Sequence, residues 1–298
     1  MGPLLFLIYV NDMKNCSEIL KFIQFADDTT VSHRGFDINN LRVVLETESN
    51  KVIKWLAANR LIINLSKTQS MLFTNKTDIP SFQLQIQNID IEITNKCKFL
   101  GVIIDDKLLW KDHINYISNK ISKSVGILKF LRYVYPKHIL RMMYMSLIYS
   151  YLNYCNLIWG SASMTALEPI FLLQKKAVRI INKSKYLDET APIFKSLNIL
   201  TIHQIFKLSC LVFMYKCMKS EQFPEMRKRI LQNSQVHNYK TRSKDSYRPP
   251  FQRLEKCQKA FLYQGINLWN CIKPNIRKYN SIISYKQAVK RLLINGIL

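Results

Sequence analysis

The chain has 298 residues, 48% of them apolar, and carries 44 Lys and Arg against 20 Asp and Glu, a formal charge of +24. That apolar fraction supplies a core for one large domain or two ordinary ones and excludes wholesale disorder. A chain this basic repels itself when compact and attracts polyanions, nucleic acid above all, because each neutralised phosphate releases counterions. The bland alternative is a solvated surface made basic by AT-rich codons, which the many Lys, Asn and Ile residues also fit.

Leu4, Leu5, Ile8 and Tyr9 recur at helical spacing, so the chain opens on a short helix ending near Asp12. Two β-prone runs follow, Leu20 to Phe25 and Thr29 to Ser32, with Ala26-Asp27-Asp28 as a tight hairpin turn between them. Asn39-Asn40 offers a cap for an amphipathic helix whose apolar face is Leu41, Val44, Leu45, Val52, Trp55 and Leu56, running to about Arg60. Strand character returns over Thr68 to Phe73. Phe82, Leu84 and Ile86, then Ile89, Ile91 and Ile93, alternate with polar residues across Gln87-Asn88, the pattern of a second hairpin. Lys98 to Ile104 reads as one further strand, stopped by Asp105-Asp106.

From Trp110 the pattern is helical. Helices are expected over Lys111 to Tyr133, Lys137 to Trp159, Leu167 to Asn182, Ile202 to Met218 and Arg253 to Asn270, with Pro136, Pro169 and Pro192 as starts or breaks. Trp159 and Trp269 read as core anchors. Asn233 to Pro250 is polar and basic, an exposed arm. The expected fold is α+β, with a boundary near residue 110 and a weaker one near residue 235.

Several function classes drop out. The seven Cys form no Cys-x-x-Cys and have no paired His nearby, so no zinc site is legible, and buried thiols in a reducing compartment are expected. His113, His138, His203 and His237 stand alone and read as structural or surface histidines. No basic stretch precedes Leu4 to Val10 and no small-residue cleavage site follows, so secretion is not expected. Met142 to Leu167 holds no charge and is long enough to span a bilayer, but Asn153, Asn156, four Tyr and Gly160 favour a buried helix and a polar loop.

The chemistry concentrates at Asp27 and Asp28. Adjacent carboxylates on a strand turn repel unless a cation neutralises them, and magnesium, a hard ion that takes oxygen ligands, would do so. Two such ions stabilise the attacking and leaving oxygens of phosphoryl transfer. A solvated turn, where Asp is common, is the competing reading.

On these residues the chain resembles the reverse transcriptases of jockey-type non-LTR (LINE) retrotransposons. Gly2 to Asp12 resembles the end of the palm motif, Phe25-Ala26-Asp27-Asp28-Thr29 the catalytic hairpin, and Trp55 with Leu65-Ser66-Lys67-Thr68 the palm helix and its lysine motif. Phe99-Leu100-Gly101-Val102 is similar to the primer-grip strand, and Leu109-Trp110-Lys111-Asp112-His113-Ile114 to the start of the thumb. Tyr154 to Gly160, Gln174 to Arg179 and Tyr239-Lys240-Thr241-Arg242 resemble the tail beyond the polymerase.

The resemblance implies a partial palm over residues 1–109, built as an antiparallel sheet with packed helices. A helical thumb and connection over 110–232 and a basic arm with C-terminal helices over 233–298 would follow. It implies Asp27 and Asp28 as metal and catalytic residues, Mg2+ or Mn2+ as cofactor, and Lys67 beside the triphosphate. Phe99, Leu100 and Gly101 would brace the primer, and Lys111, Lys120, Lys123, Lys240 and Arg242 would hold nucleic acid. Partners would be an RNA template, a DNA primer and deoxynucleotides, in nucleus or cytoplasm, with no membrane. The family's first catalytic Asp lies upstream of these motifs, so the chain is expected to be inactive alone. The alternative is a non-catalytic RNA- or DNA-binding protein made of thumb and tail. Arg227-Lys228-Arg229 and Lys240 to Arg248, interleaved with Tyr239 and Tyr247, suit an unpaired strand on that reading.

Overall fold

The structure is a computed structural model that describes residues 2–76, 82–236 and 243–298. The chain divides into two compact units between Leu108 and Leu109.

In the first unit α1 (Gly2–Val10) is followed by a tight turn, Met13–Cys16, and then by the hairpin β1 (Lys21–Phe25) and β2 (Asp28–Ser32). Next comes α2 (Ile38–Ala58), whose true cap is Asp37: its carboxylate accepts the backbone N–H groups of Asn39 and Asn40. The expected strand over Thr68 to Phe73 shrinks to β3 (Gln69–Ser70). β4 (Leu84–Ile86) and β5 (Ile89–Ile93) form the second hairpin, with both turn residues, Gln87 and Asn88, at positive φ, the backbone that matches strand twist. Ile53 of α2 closes on Leu84, Ile86 and Ile91, flanked by Leu45, Leu65 and Phe82. Each such side chain contributes about 1.5–3 kcal/mol when fully buried.

Two expectations are corrected here. Lys98 to Ile104 is not one strand: β6 (Lys96–Phe99) and β7 (Val102–Asp105) pair antiparallel across Leu100 (φ 45°) and Gly101 (φ 82°). Gly101 is there because the turn needs a left-handed backbone. Nor does this unit hold one antiparallel sheet. Its strands make three separate small sheets among the described residues, and β3 pairs parallel to β5. Each hairpin is closed by its own two-residue turn.

The second unit is helical: α3 (Lys111–Leu131), α4 (Lys137–Tyr144), α5 (Ser150–Asn153), α6 (Asn156–Trp159), α7 (Met164–Asn182), α8 (Ala191–Ser196), α9 (Ile202–Lys219) and α10 (Pro224–Lys228). A short pair, β8 (Leu231–Gln232) with β9 (Tyr247–Arg248), brackets α11 (Asn233–Val236). Then come α12 (Glu255–Lys259), α13 (Phe261–Cys271), α14 (Pro274–Arg277) and α15 (Ile282–Ile294). α3 packs along α7, and α9 packs against α13 and α15. Gln174 is fully buried and fully used: its amide donates to Tyr144 Oη and the Leu200 carbonyl and accepts from Ile202 N–H, joining α7, α4 and the start of α9. The weaker boundary near residue 235 separates no compact units, because β8–β9 and the α9 contacts cross it.

The apolar run from Met142 is not one helix. α4 passes through a π turn, Met145–Tyr149, into α5, and then breaks where Tyr154 is extended and Cys155 left-handed. Trp159 Nε1–H donates to the Tyr154 carbonyl across the break. A side chain at Gly160 would collide with Asn156 O, 2.5 Å away. Among the described residues, no helix is long and apolar enough to cross a membrane. Pro169 does not start α7 either. The helix begins earlier, capped by Ser163 Oγ on Ala166 N–H, with Pro169 inside it. Likewise Arg253 to Asn270 is two helices, broken at Ala260. Of the seven free cysteines only Cys210 and Cys217 are buried, and Cys271 is exposed, so the expectation of buried thiols holds for two.

Candidate functional site

Asp27 and Asp28 lie at the bend of the β1–β2 hairpin. Phe25 pairs with Asp28, so the loop is two residues, Ala26 and Asp27, with Ala26 at φ 53°. Asp27 is in the bend and Asp28 opens β2, and both are exposed. The flanking strands are largely exposed. Ile23 and Phe25 point outward, 54% and 60% exposed, because a two-stranded ribbon has one supported face.

That supported face is held from below. Gln24 Nε2–H donates to the Val10 carbonyl at the end of α1 and reaches Met13 Sδ. Ser17 Oγ accepts Ile19 and Leu20 N–H and donates to Glu48 Oε2 at 2.6 Å. Lys51 Nζ sits 2.7 Å from Glu48 Oε1. Hydrogen bonds from Lys51 and then Ser17 hold the Glu48 carboxyl below the usual range. Tyr9 Oη–H donates to the Asn59 carbonyl, tying α1 to the end of α2. None of this network was singled out from sequence. Its one signal is Glu48, a charge on the face marked by Val44, Leu45 and Val52.

The other expected residues are placed as follows. Lys67 ends a tight turn, Leu65–Lys67, that rests on β5; it is exposed and makes no ion pair with Asp27 or Asp28. Phe99 and Leu100 are half-buried and Gly101 exposed at the β6–β7 turn. Lys240, Arg242, Tyr239 and His237 fall outside the described residues. Tyr247 is half-buried, its backbone exchanging hydrogen bonds with the Asn270 side chain. Among the described residues, no three His, Cys, Asp or Glu side chains gather as a metal site.

Residues 1–104 match the family model described as reverse transcriptase (RNA-dependent DNA polymerase). The chain is 24% identical over 209 residues to a probable RNA-directed DNA polymerase from transposon X-element of Drosophila melanogaster, covering 68% of this chain and 23% of the relative. It is 25% identical over 204 residues to the RNA-directed DNA polymerase from mobile element jockey of Drosophila funebris, covering 65% and 22%. The jockey polymerase of Drosophila melanogaster gives 24% over 212 residues, covering 67% and 23%. The chain is similar to retrotransposon reverse transcriptases. It spans about a quarter of the length of the curated relatives it matches. No solved structure matches it significantly.

The helical unit holds the chain's net charge. Residues 1–108 carry 12 Lys and Arg against 12 Asp and Glu, whereas residues 109–298 carry 32 against eight. The helix α3 buries His113, Ile114, Ile117, Ile121, Val125 and Leu128 on one face and leaves Lys111, Lys120, Lys123 and Lys129 exposed on the other. At helical spacing Lys111 and Lys129 fall on one edge of that exposed arc and Lys120 on the opposite edge, so the four do not form one row. His113 is packed edge-on against Trp159 and burial pushes its imidazole down to about 4, so it is neutral and structural at neutral pH.

Proposed function

We propose that this chain is a palm-to-tail portion of a retrotransposon RNA-directed DNA polymerase, with residues 1–109 the palm part and 110–232 the thumb and connection. The observation that carries the reading is the exposed Asp27-Asp28 pair at a two-residue β-bend, inside the segment that matches the reverse transcriptase family. Two hard oxygen donors at a fixed bend suit Mg2+ or Mn2+. When bound, such ions stabilise the charge that develops on the attacking and leaving oxygens of nucleotidyl transfer.

The chain's own residues would divide the remaining work. Asp27 and Asp28 would supply ligands beneath the primer end. Lys67 would stabilise the triphosphate or protonate the leaving pyrophosphate. The Phe99-Leu100-Gly101 turn would brace the primer strand. Among the described residues no further acidic, histidine or cysteine side chain gathers with them. On the family resemblance a further carboxylate would come from a palm strand outside this chain, and the chain alone would then polymerise nothing, because groups that act as a unit fail together. The seven free cysteines suit a reducing compartment, nucleus or cytoplasm.

A second reading is favoured by the charge division: residues 109–298 bind RNA or DNA without catalysis. Both readings meet one experiment. Purified chain is given an RNA template, a DNA primer, deoxynucleotides and Mg2+, and template binding is followed across salt. We expect no primer extension, binding that weakens steeply with salt, and no change in binding for Asp27→Ala. Extension that Asp27→Ala abolishes would show the chain to be catalytically complete. Salt-independent or absent binding would overturn the nucleic-acid reading of the helical unit.

A further inference from the structure

Where α3 and α7 end and α4 begins, the helical unit carries a patch that neither the carboxylate hairpin nor the thumb lysines account for. Lys137 Nζ, at the start of α4, bonds Asn182 Oδ1 at the end of α7 at 2.6 Å, which joins the two segments. Four residues before that contact on one side is Tyr133, 79% exposed, and four residues after it on the other is Tyr186, 81% exposed. Each ring is backed by a guanidinium: Arg132 lies 5.2 Å from the Tyr133 centroid and Arg179 lies 5.8 Å from that of Tyr186.

The Tyr186 loop is fixed rather than loose. Arg179 Nε–H donates to the Asp188 carbonyl, Lys185 N–H to Asp188 Oδ2, Ser184 N–H to the Arg179 carbonyl, and Asn182 Nδ2–H to Ser184 Oγ. Lys129, Arg132, Lys137, Arg179, Lys183 and Lys185 face only Asp188 and Glu189 in these segments.

We infer that this patch is a binding site for an unpaired strand of nucleic acid, with bases stacked on Tyr133 and Tyr186 and phosphates held by the surrounding Lys and Arg. Two exposed rings, each with a guanidinium within 5.8 Å of its centroid, offer flat faces that only unstacked bases can use. Bases inside a duplex present no free face. The excess of cations disfavours a neutral or basic protein partner. The inference rests on the nucleic-acid part of the reading above and is independent of Asp27 and Asp28.

The test uses the full chain and fluorescence anisotropy with one mixed sequence as single-stranded RNA, as single-stranded DNA and as duplex RNA. The paired change Tyr133→Ala and Tyr186→Ala should weaken binding of the unpaired strand by at least about tenfold and leave the slope of affinity against salt unchanged. Tyr133→Phe with Tyr186→Phe should restore it, since the ring is what stacks. Lys183→Gln with Lys185→Gln should instead flatten the salt slope by about one to two phosphates' worth. Both rings are exposed, so their removal leaves the core intact, and circular dichroism checks this. Whichever single strand loses affinity identifies the source as RNA or DNA. Undiminished binding by the Tyr→Ala pair overturns the inference, as does an equal loss for the duplex. So does displacement of the strand by polyglutamate with the same tyrosine dependence. Failure of the unaltered chain to bind any strand would overturn the broader nucleic-acid reading as well.

Discussion

The two units solve different problems. In the helical unit Ile121, Leu128, Leu140, Tyr144, Ile148, Leu152 and Trp159 are wholly buried, and the positive charge is carried outside that core. The first unit is electrically balanced and its core is small, with Ile53 at 9% exposure beside Leu84, Ile86 and Ile91. Its opening helix α1 is apolar on every side, yet Leu4, Leu5 and Ile8 are each at least 60% exposed. A helix apolar all round is ordinarily a buried one. The contrast teaches that the segment bearing the carboxylates leans on few apolar contacts of its own, whereas the basic segment is a finished fold.

The largest effect that would sharpen this contrast comes from truncating each core. Leu128→Ala removes a side chain with no exposed surface from α3 and should cost about 2–5 kcal/mol. Ile53→Ala, in the thinner cluster under α2, should fall at or below the lower end of that range. Hydrogen exchange read separately in α3 and α2 measures both, since local opening free energies are resolved element by element. Equal losses at the two sites would break the comparison.

A smaller effect is expected with pH from the helical unit. The folded His113 titrates near 4 and the unfolded one near its ordinary 6.5, because burial disfavours the imidazolium. Between those values the unfolded chain binds more protons, so stability is complete above about pH 6.5 and declines as pH falls toward 4. Allowing for partial solvent screening, the loss should be on the order of 1–2 kcal/mol by urea unfolding at pH 7.5 and pH 5. His113→Gln should flatten that dependence. A pH profile unchanged by the substitution would place the titration elsewhere.

How far the sequence could be read depended on whether structure was set locally. The hairpins around Asp27 and Gln87-Asn88 were legible, because two short alternating runs and a turn dipeptide determine each other. The β6–β7 hairpin was not: Leu100 is an unusual residue at positive φ, and Gly101 fell inside a run that reads as one strand. The breaks after Met142 escaped because no Gly, Pro or charged residue lies between Met142 and Trp159 to mark them. They depend on distant partners, such as Ser124 Oγ–H donating to the Leu147 carbonyl. In the candidate site, Asp27, Asp28 and Lys67 stood out by chemistry and resemblance. The Ser17, Glu48 and Lys51 support did not, since its members are 31 residues apart in Ser17 and Glu48 and meet only in the fold. Arg132 with Tyr133 and Arg179 with Tyr186 were invisible for the same reason: the Lys137–Asn182 contact that joins them spans 45 residues.

The smallest expected change in stability is at the carboxylates, and it bears most directly on function. Asp27 is exposed, sits in the bend rather than in the paired strands, and has Asp28 beside it. A residue there for the fold would lose something on neutralisation; one there for a ligand would lose nothing until the ligand is added. Asp27→Asn should therefore leave unfolding free energy within about 0.5 kcal/mol of the parent, or raise it slightly by relieving like-charge repulsion. It should also lower Mn2+ binding measured by electron paramagnetic resonance. A drop in stability above about 1 kcal/mol with Mn2+ binding unaltered would mean that the bend uses its acids to hold its own shape, and the hairpin would then have no claim to a metal.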